Sequence, residues 1–173
     1  NYPIALRPML ECIPVAGTAK RIAGMHIVMT KNGPLFLSDT TVNIDYKPEE
    51  LVDLVLKVHE RVSKFQIEPI IALVTYSNFG SSRGPAPAQM RKAIETLHEQ
   101  YPHILVDGEM QTTYAMDGDA RLRQYPFNKL GNKPANTLIF PGLNSGNAAY
   151  QLMRGMGMVD IIGPILLGFE KSV

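Results

Sequence analysis

The chain has 173 residues, enough for one domain that buries roughly 70% of its unfolded surface on folding. Its 17 basic and 16 acidic side chains leave a net charge of +1, which gives no field to attract nucleic acid or an anionic membrane, and no apolar run approaches the roughly 20 residues that span a bilayer. The single cysteine, Cys12, can build neither an internal disulfide nor a zinc-type cluster, so the expected compartment is reducing and cytoplasmic.

In chain order, Tyr2 to Ile13 reads as a helix that Pro8 begins or kinks, without the basic start and long apolar stretch of a secretory signal. Strands are predicted at Ile22 to Thr30 and at Leu35 to Ser38, the second leading into Thr40 to Ile44. The turn composition Lys31-Asn32-Gly33-Pro34 between them predicts an antiparallel hairpin, and with it a mixed sheet. A helix follows Pro48, with Glu49 and Glu50 at its positive end. Leu51, Leu54, Val55, Val58, Val62 and Phe65 recur at three- and four-residue steps and form its buried stripe.

Further strands are predicted at Ile70 to Tyr76, Ile104 to Val106, Thr137 to Phe140 and Ile161 to Leu167. Between them, a helix over about Pro87 to Gln100 points Met90, Ile94 and Leu97 inward, and another over about Ser145 to Met156 points Ala149, Leu152, Met153 and Met156 inward. Thr112 to Tyr125 carries Gly118 and has no clear period. The alternation of strands and helices predicts a single α/β domain over residues 1–173, a mixed sheet with helices on both faces. The chain opens on Asn1 and closes on Lys171-Ser172-Val173 directly after an apolar run, so it is expected to be one piece of a longer polypeptide.

Three strand-to-helix loops carry the candidate chemistry. Ser77-Asn78-Phe79-Gly80-Ser81-Ser82 offers hydroxyls, backbone N–H groups and a helix start to an anion such as phosphate; the same residue types also simply make turns. Asp107 and Glu109 sit at a strand end, two residues apart, and share one face if the strand runs on through them; Asp-Gly by itself is turn chemistry. Asn144, Ser145 and Asn147 could present amides and a hydroxyl to a ligand, although Asn144 or Ser145 would serve equally as a helix N-cap. The four histidines form no metal or triad pattern, and no Gly-x-Gly-x-x-Gly opens a helix after a strand.

Taken together, Asp39-Thr40-Thr41-Val42-Asn43, the Ser77 to Ser82 loop, Val106 to Gln111, Ala135 to Pro141 with Leu143 and Gly146-Asn147, and Ile162 to Gly168 resemble the phosphate acetyl/butyryl transferases, in the same order. Gly33-Pro34-Leu35-Phe36, the Ser-Asn-Phe-Gly-Ser form of the loop and Asp107 to Gln111 are most similar to the C-terminal phosphotransacetylase-like domain of bacterial NADP-dependent malic enzymes. Two positions depart from the transferase pattern: Phe79 replaces a lysine, and Gly142 stands where an Asp or Asn is common.

The resemblance implies a three-layer domain like the second domain of phosphotransacetylase, itself isocitrate/isopropylmalate dehydrogenase-like, with an acyl-CoA cleft toward another domain. It implies binding of acetyl-CoA, a related acyl-CoA or phosphate at Ser77, Asn78, Ser81, Ser82, Asp107, Glu109, Asn144, Ser145 and Asn147. It further implies assembly into a homo-oligomer, no cofactor in this domain, and a regulatory role without catalysis of its own; the transferases' Ser-Arg and Asp positions fall after Val173. NADP and a divalent metal would belong to an upstream, malate-oxidising part. A working phosphate acetyltransferase and a purely structural dimerisation module are the alternatives.

Overall fold

A computed structural model describes residues 21–157 and 159–169, so the helix predicted at Tyr2 to Ile13 lies outside the described residues, as does Cys12. Strands β1 (Ala23–Thr30), β2 (Gly33–Ser38), β3 (Ile71–Val74), β4 (Val106–Met110), β5 (Thr137–Ile139) and β6 (Asp160–Leu167) form one sheet in the order β4-β3-β5-β2-β1-β6. β1 and β2 are the predicted hairpin, in register from Met25 opposite Ser38 to Thr30 opposite Gly33. β1 is also antiparallel to β6, whereas β4, β3, β5 and β2 run parallel, so the sheet is mixed as expected.

Helices α1 (Pro48–Ser63) and α2 (Pro85–Gln100) cover one face. The short α3 (Thr112–Met116) and α4 (Gly118–Gln124), with α5 (Leu143–Gly155), lie on the side of the other. Side chains alternate accordingly: Ile71 and Leu73 join the α1/α2 core, Ala72 and Val74 the opposite one. α1 follows its period, with Pro48 in the first turn, the Glu50 carboxylate accepting from the Lys47 N–H at 2.8 Å, and Leu51, Leu54, Val55, Val58 and Val62 buried. Phe65 departs from that stripe. The helix ends at Ser63, and Phe65 is 45% exposed with its ring on Phe36.

Three further expectations are corrected. Thr40 to Ile44 is no strand, because the buried Asp39 carboxylate wraps the chain around itself. It accepts from the N–H groups of Gly24, Thr41, Val42 and Asn43, the Asn43 side-chain amide and the Tyr46 hydroxyl, all within 2.7–3.1 Å. β4 begins where its predicted strand ended: Ile104 N–H bonds back to Tyr101 in a turn, and the buried strand carries the polar sequence Val-Asp-Gly-Glu-Met.

α5 is rotated relative to its predicted stripe. Gly146 is buried and Ala149, Tyr150 and Met153 pack on the sheet, whereas Leu152 and Met156 are 66% and 61% exposed. The close approach decides this: a Cβ on Gly146 would run into the Asp39 carbonyl, and Tyr150 stacks on His26 of β1 at 4.1 Å. In Thr112 to Tyr125, Asp117 breaks the helix in two and caps α4 by accepting from Ala120 N–H.

Candidate functional site

The four parallel strands present their C-terminal ends along one edge. The loops after β2, β3 and β5 and the Gln111–Thr112 junction after β4 therefore meet there. β3 leaves through α2 on one face of the sheet and its neighbour β5 leaves through α5 on the other, which opens a crevice between them. Two adjoining depressions of about 300 Å³ each occupy it. Ile44, Asp45 and Gln89 line one, Thr75, Tyr76 and Thr112 the other, and Ala86, Pro141 and Ser145 are common to both. A larger hollow of about 550 Å³ lies between α1 and α2, away from the strand ends.

Of the predicted ligand residues, the structure gathers Ser77, Asn78, Ser81, Ser82 and Glu109 into one network, closed on itself. Glu109 is fully buried, and its Oε1 accepts from Ser77 Oγ at 2.7 Å, Gly80 N–H at 2.9 Å and Arg91 Nη1 at 2.8 Å. Ser77 Oγ in turn accepts from Ser82 N–H, Ser81 Oγ from Asn78 N–H, and the Asn78 side-chain oxygen from Gln111 N–H. The Glu109 carbonyl accepts from Phe79 N–H at 2.7 Å. Phe79 takes a positive φ of 46°, unusual for a bulky residue, with its ring against Tyr125 and Phe127.

Asp107 stands apart. Leu73 pairs with Gly108 and Val74 with Met110, so Glu109 is an extra residue and the regular alternation that would align the two acids is broken. Asp107 Oδ2 accepts from Lys129 N–H at 2.6 Å and Oδ1 from Gly108 N–H at 2.9 Å. Burial holds its carboxyl above the ordinary carboxylate range, against the pull of those two N–H groups.

On the third loop, the N-cap of α5 is Gly142 in place of Asn144 or Ser145. Here the extended backbone passes so close to the Ile44 carbonyl that a Cβ would collide with it, which accounts for glycine at this position. Asn144 and Ser145 line the crevice, with Ser145 Oγ donating to the Gly142 carbonyl at 3.0 Å. Asn147 Nδ2 donates to the Thr40 carbonyl at 3.2 Å and ties α5 to the Asp39 turn.

Sequence reasoning missed Arg91 and Tyr76 at the site and Arg121 behind it. Arg91 hides on a helix with an ordinary polar face, and Tyr76, 60% exposed on the crevice wall, reads as a strand residue. Arg121 is fully buried and donates to Asn128 Oδ1 and to the carbonyls of Tyr114, Ala115, Gly131 and Lys133 at 2.6–3.1 Å. Among the described residues no group of three His, Cys, Asp or Glu is placed to hold a metal ion, and no helix is long and apolar enough to cross a membrane.

This sheet, with its strand-end crevice, defines a phosphotransacetylase-like α/β domain, and the chain belongs to the phosphate acetyl/butaryl transferase family, whose description matches residues 1–173. It is 35% identical over 172 residues to the NADP-dependent malic enzyme of Haemophilus influenzae, covering 99% of this chain and 23% of that protein. It is 32% identical over 176 residues to the phosphate acetyltransferase of Clostridium acetobutylicum, covering 97% of this chain and 52% of the relative. A phosphotransacetylase crystal structure from Streptococcus pyogenes superposes with a TM-score of 0.87 at 32% identity, over 97% of this chain and 51% of that one. The chain thus spans under a quarter of the malic enzyme and about half of the transferase.

Proposed function

We propose that this chain is the regulatory, acyl-CoA-sensing domain of an NADP-dependent malic enzyme and carries no chemistry of its own. The match to nearly the whole chain by a segment of such enzymes is the observation that carries the reading. In it, acetyl-CoA or a related acyl-CoA enters the strand-end crevice beside Tyr76, Asn144 and Ser145, while the network around Glu109 holds the adjoining loop in shape. NADP and divalent-metal chemistry, the oxidative decarboxylation of malate, belongs to other parts of the protein. The assembly is a homo-oligomer. A tenfold effect on a remote active site requires the ligand to favour one arrangement of the assembly by about 1.4 kcal/mol.

Calorimetry of the full-length protein with acetyl-CoA, alongside malate oxidation with and without it, tests this. Heat of binding together with a changed rate is expected; no heat and no thermal shift would leave only a structural module. A second reading, a working phosphate acetyltransferase, is favoured by the similarity to the Clostridium acetobutylicum and Streptococcus pyogenes proteins. Turnover of acetyl phosphate and CoA by the full-length protein would establish it and overturn the first.

A further inference from the structure

The donors of the Ser77–Ser82 loop form an anion cradle that is already filled. A hydroxyl from Ser77, a backbone N–H from Gly80 and the Arg91 guanidinium converge on a single oxygen at 2.7–2.9 Å, the mixture of neutral and charged donors that suits a phosphate oxygen. The oxygen they meet is the chain's own Glu109 Oε1. The other carboxylate oxygen, Oε2, is buried and has no hydrogen-bond partner. A carboxylate buried for its own stability would use both oxygens, because an unpaired buried acceptor is costly. Here only the oxygen in the cradle is satisfied. The bulge in β4 that delivers Glu109 to this spot breaks the strand pairing in doing so.

From this we infer that Glu109 is an internal anion that occupies the cradle and acts as the positioning residue of the loop, keeping phosphate out of it. The inference refines the ligand-binding reading above: ligand contact falls to the crevice side chains, while the Ser77 and Ser81 hydroxyls and the Ser82 N–H hold the loop in shape. For an external phosphate oxygen to take the place of Oε1 between Ser77 Oγ, Gly80 N–H and Arg91 Nη1, it must displace a fully buried carboxylate and leave that charge unpaired.

The test uses inorganic phosphate and the full-length protein, so its outcome is independent of whether acetyl-CoA binds. Glu109→Ala is expected to raise phosphate affinity at least tenfold over the parent, and adding Arg91→Ala to that variant should remove the gain. A folded Glu109→Ala protein with no gain would overturn the inference. In the unaltered protein, hydrogen exchange at the Phe79 and Gly80 amides should not respond to phosphate. A phosphate-dependent slowing there would overturn it as well, and this arm decides the matter even if the variant does not fold.

Discussion

Arg121 shows how a single side chain can organise a segment that has no periodic pattern. Its guanidinium meets four backbone carbonyls, two of them in α3, and one amide oxygen, tying α3 to the turns that precede β5, so removing it leaves several acceptors without donors. Arg121→Met is expected to cost at least about 3 kcal/mol, read as a lower urea midpoint at unchanged slope. Asp39 does the reverse, with one carboxylate collecting six donors. Burial and then the Asp39 charge push the neighbouring Tyr46 hydroxyl well above its usual range, so Tyr46 remains a donor. Asp39→Asn replaces an acceptor oxygen with a donor facing donors and should cost roughly 3 kcal/mol in the same measurement.

His26 sets the pH response at this scale. Burial first, and then the Arg154 charge, lower its pKa below the ordinary histidine value, against a smaller opposing pull from Asp39. Folding therefore favours neutral imidazole. That stability is present above the unfolded value of about 6.5 and is lost as pH falls through it toward the folded value. The urea midpoint should drop between pH 7.5 and 5.5, and His26→Gln should flatten the part of the drop that His26 contributes. His59 is shifted the same way by burial and His103 and adds to the drop, whereas Asp107, whose carboxyl burial raises, works against it.

Among the elements, α5 depends on how closely it can approach the Asp39 turn. Gly146→Ala places a methyl group against the Asp39 carbonyl and must lift the helix. A loss of about 1–3 kcal/mol is expected, with faster hydrogen exchange in Thr40 to Asn43 as the local readout. The same helix shows where sequence reading stops. Its existence was legible from Ser145 to Met156, as was the inward placing of Ala149 and Met153, but Leu152 and Met156 are apolar yet exposed, and a glycine and a tyrosine share the inner stripe instead. α1 was legible because an uninterrupted 3.6-residue period fills its inner face. β4 was displaced because three of its five buried positions are an aspartate, a glycine and a glutamate, the two acids held by hydrogen bonds from distant residues. For the same reason the loops of the site were visible but their closure was not: Glu109 meets Ser77 across 32 positions and Arg91 across 18.

For the whole molecule, ligand binding and stability are linked. A ligand at a hundred times its dissociation constant adds about 2.7 kcal/mol to the folded state. Acetyl-CoA should raise the melting temperature of the full-length protein, and Ala86→Trp, which fills the wall shared by the two crevice depressions, should abolish the rise. A rise that survives Ala86→Trp would place the ligand elsewhere, with the hollow between α1 and α2 the next candidate.

The position of β1 has a consequence for synthesis on the ribosome. Among the described residues it is the lone strand running against the others, and it is flanked by its hairpin partner on one side and by β6, more than a hundred residues later, on the other. While the intervening residues emerge, the hairpin presents an unpaired row of amides and carbonyls that any stray strand could extend. A nascent chain stalled before Asp160 should therefore be sticky, recruit chaperones and aggregate, and both tendencies should weaken once β6 clears the exit tunnel, because the edge then falls to a strand interrupted by Pro164.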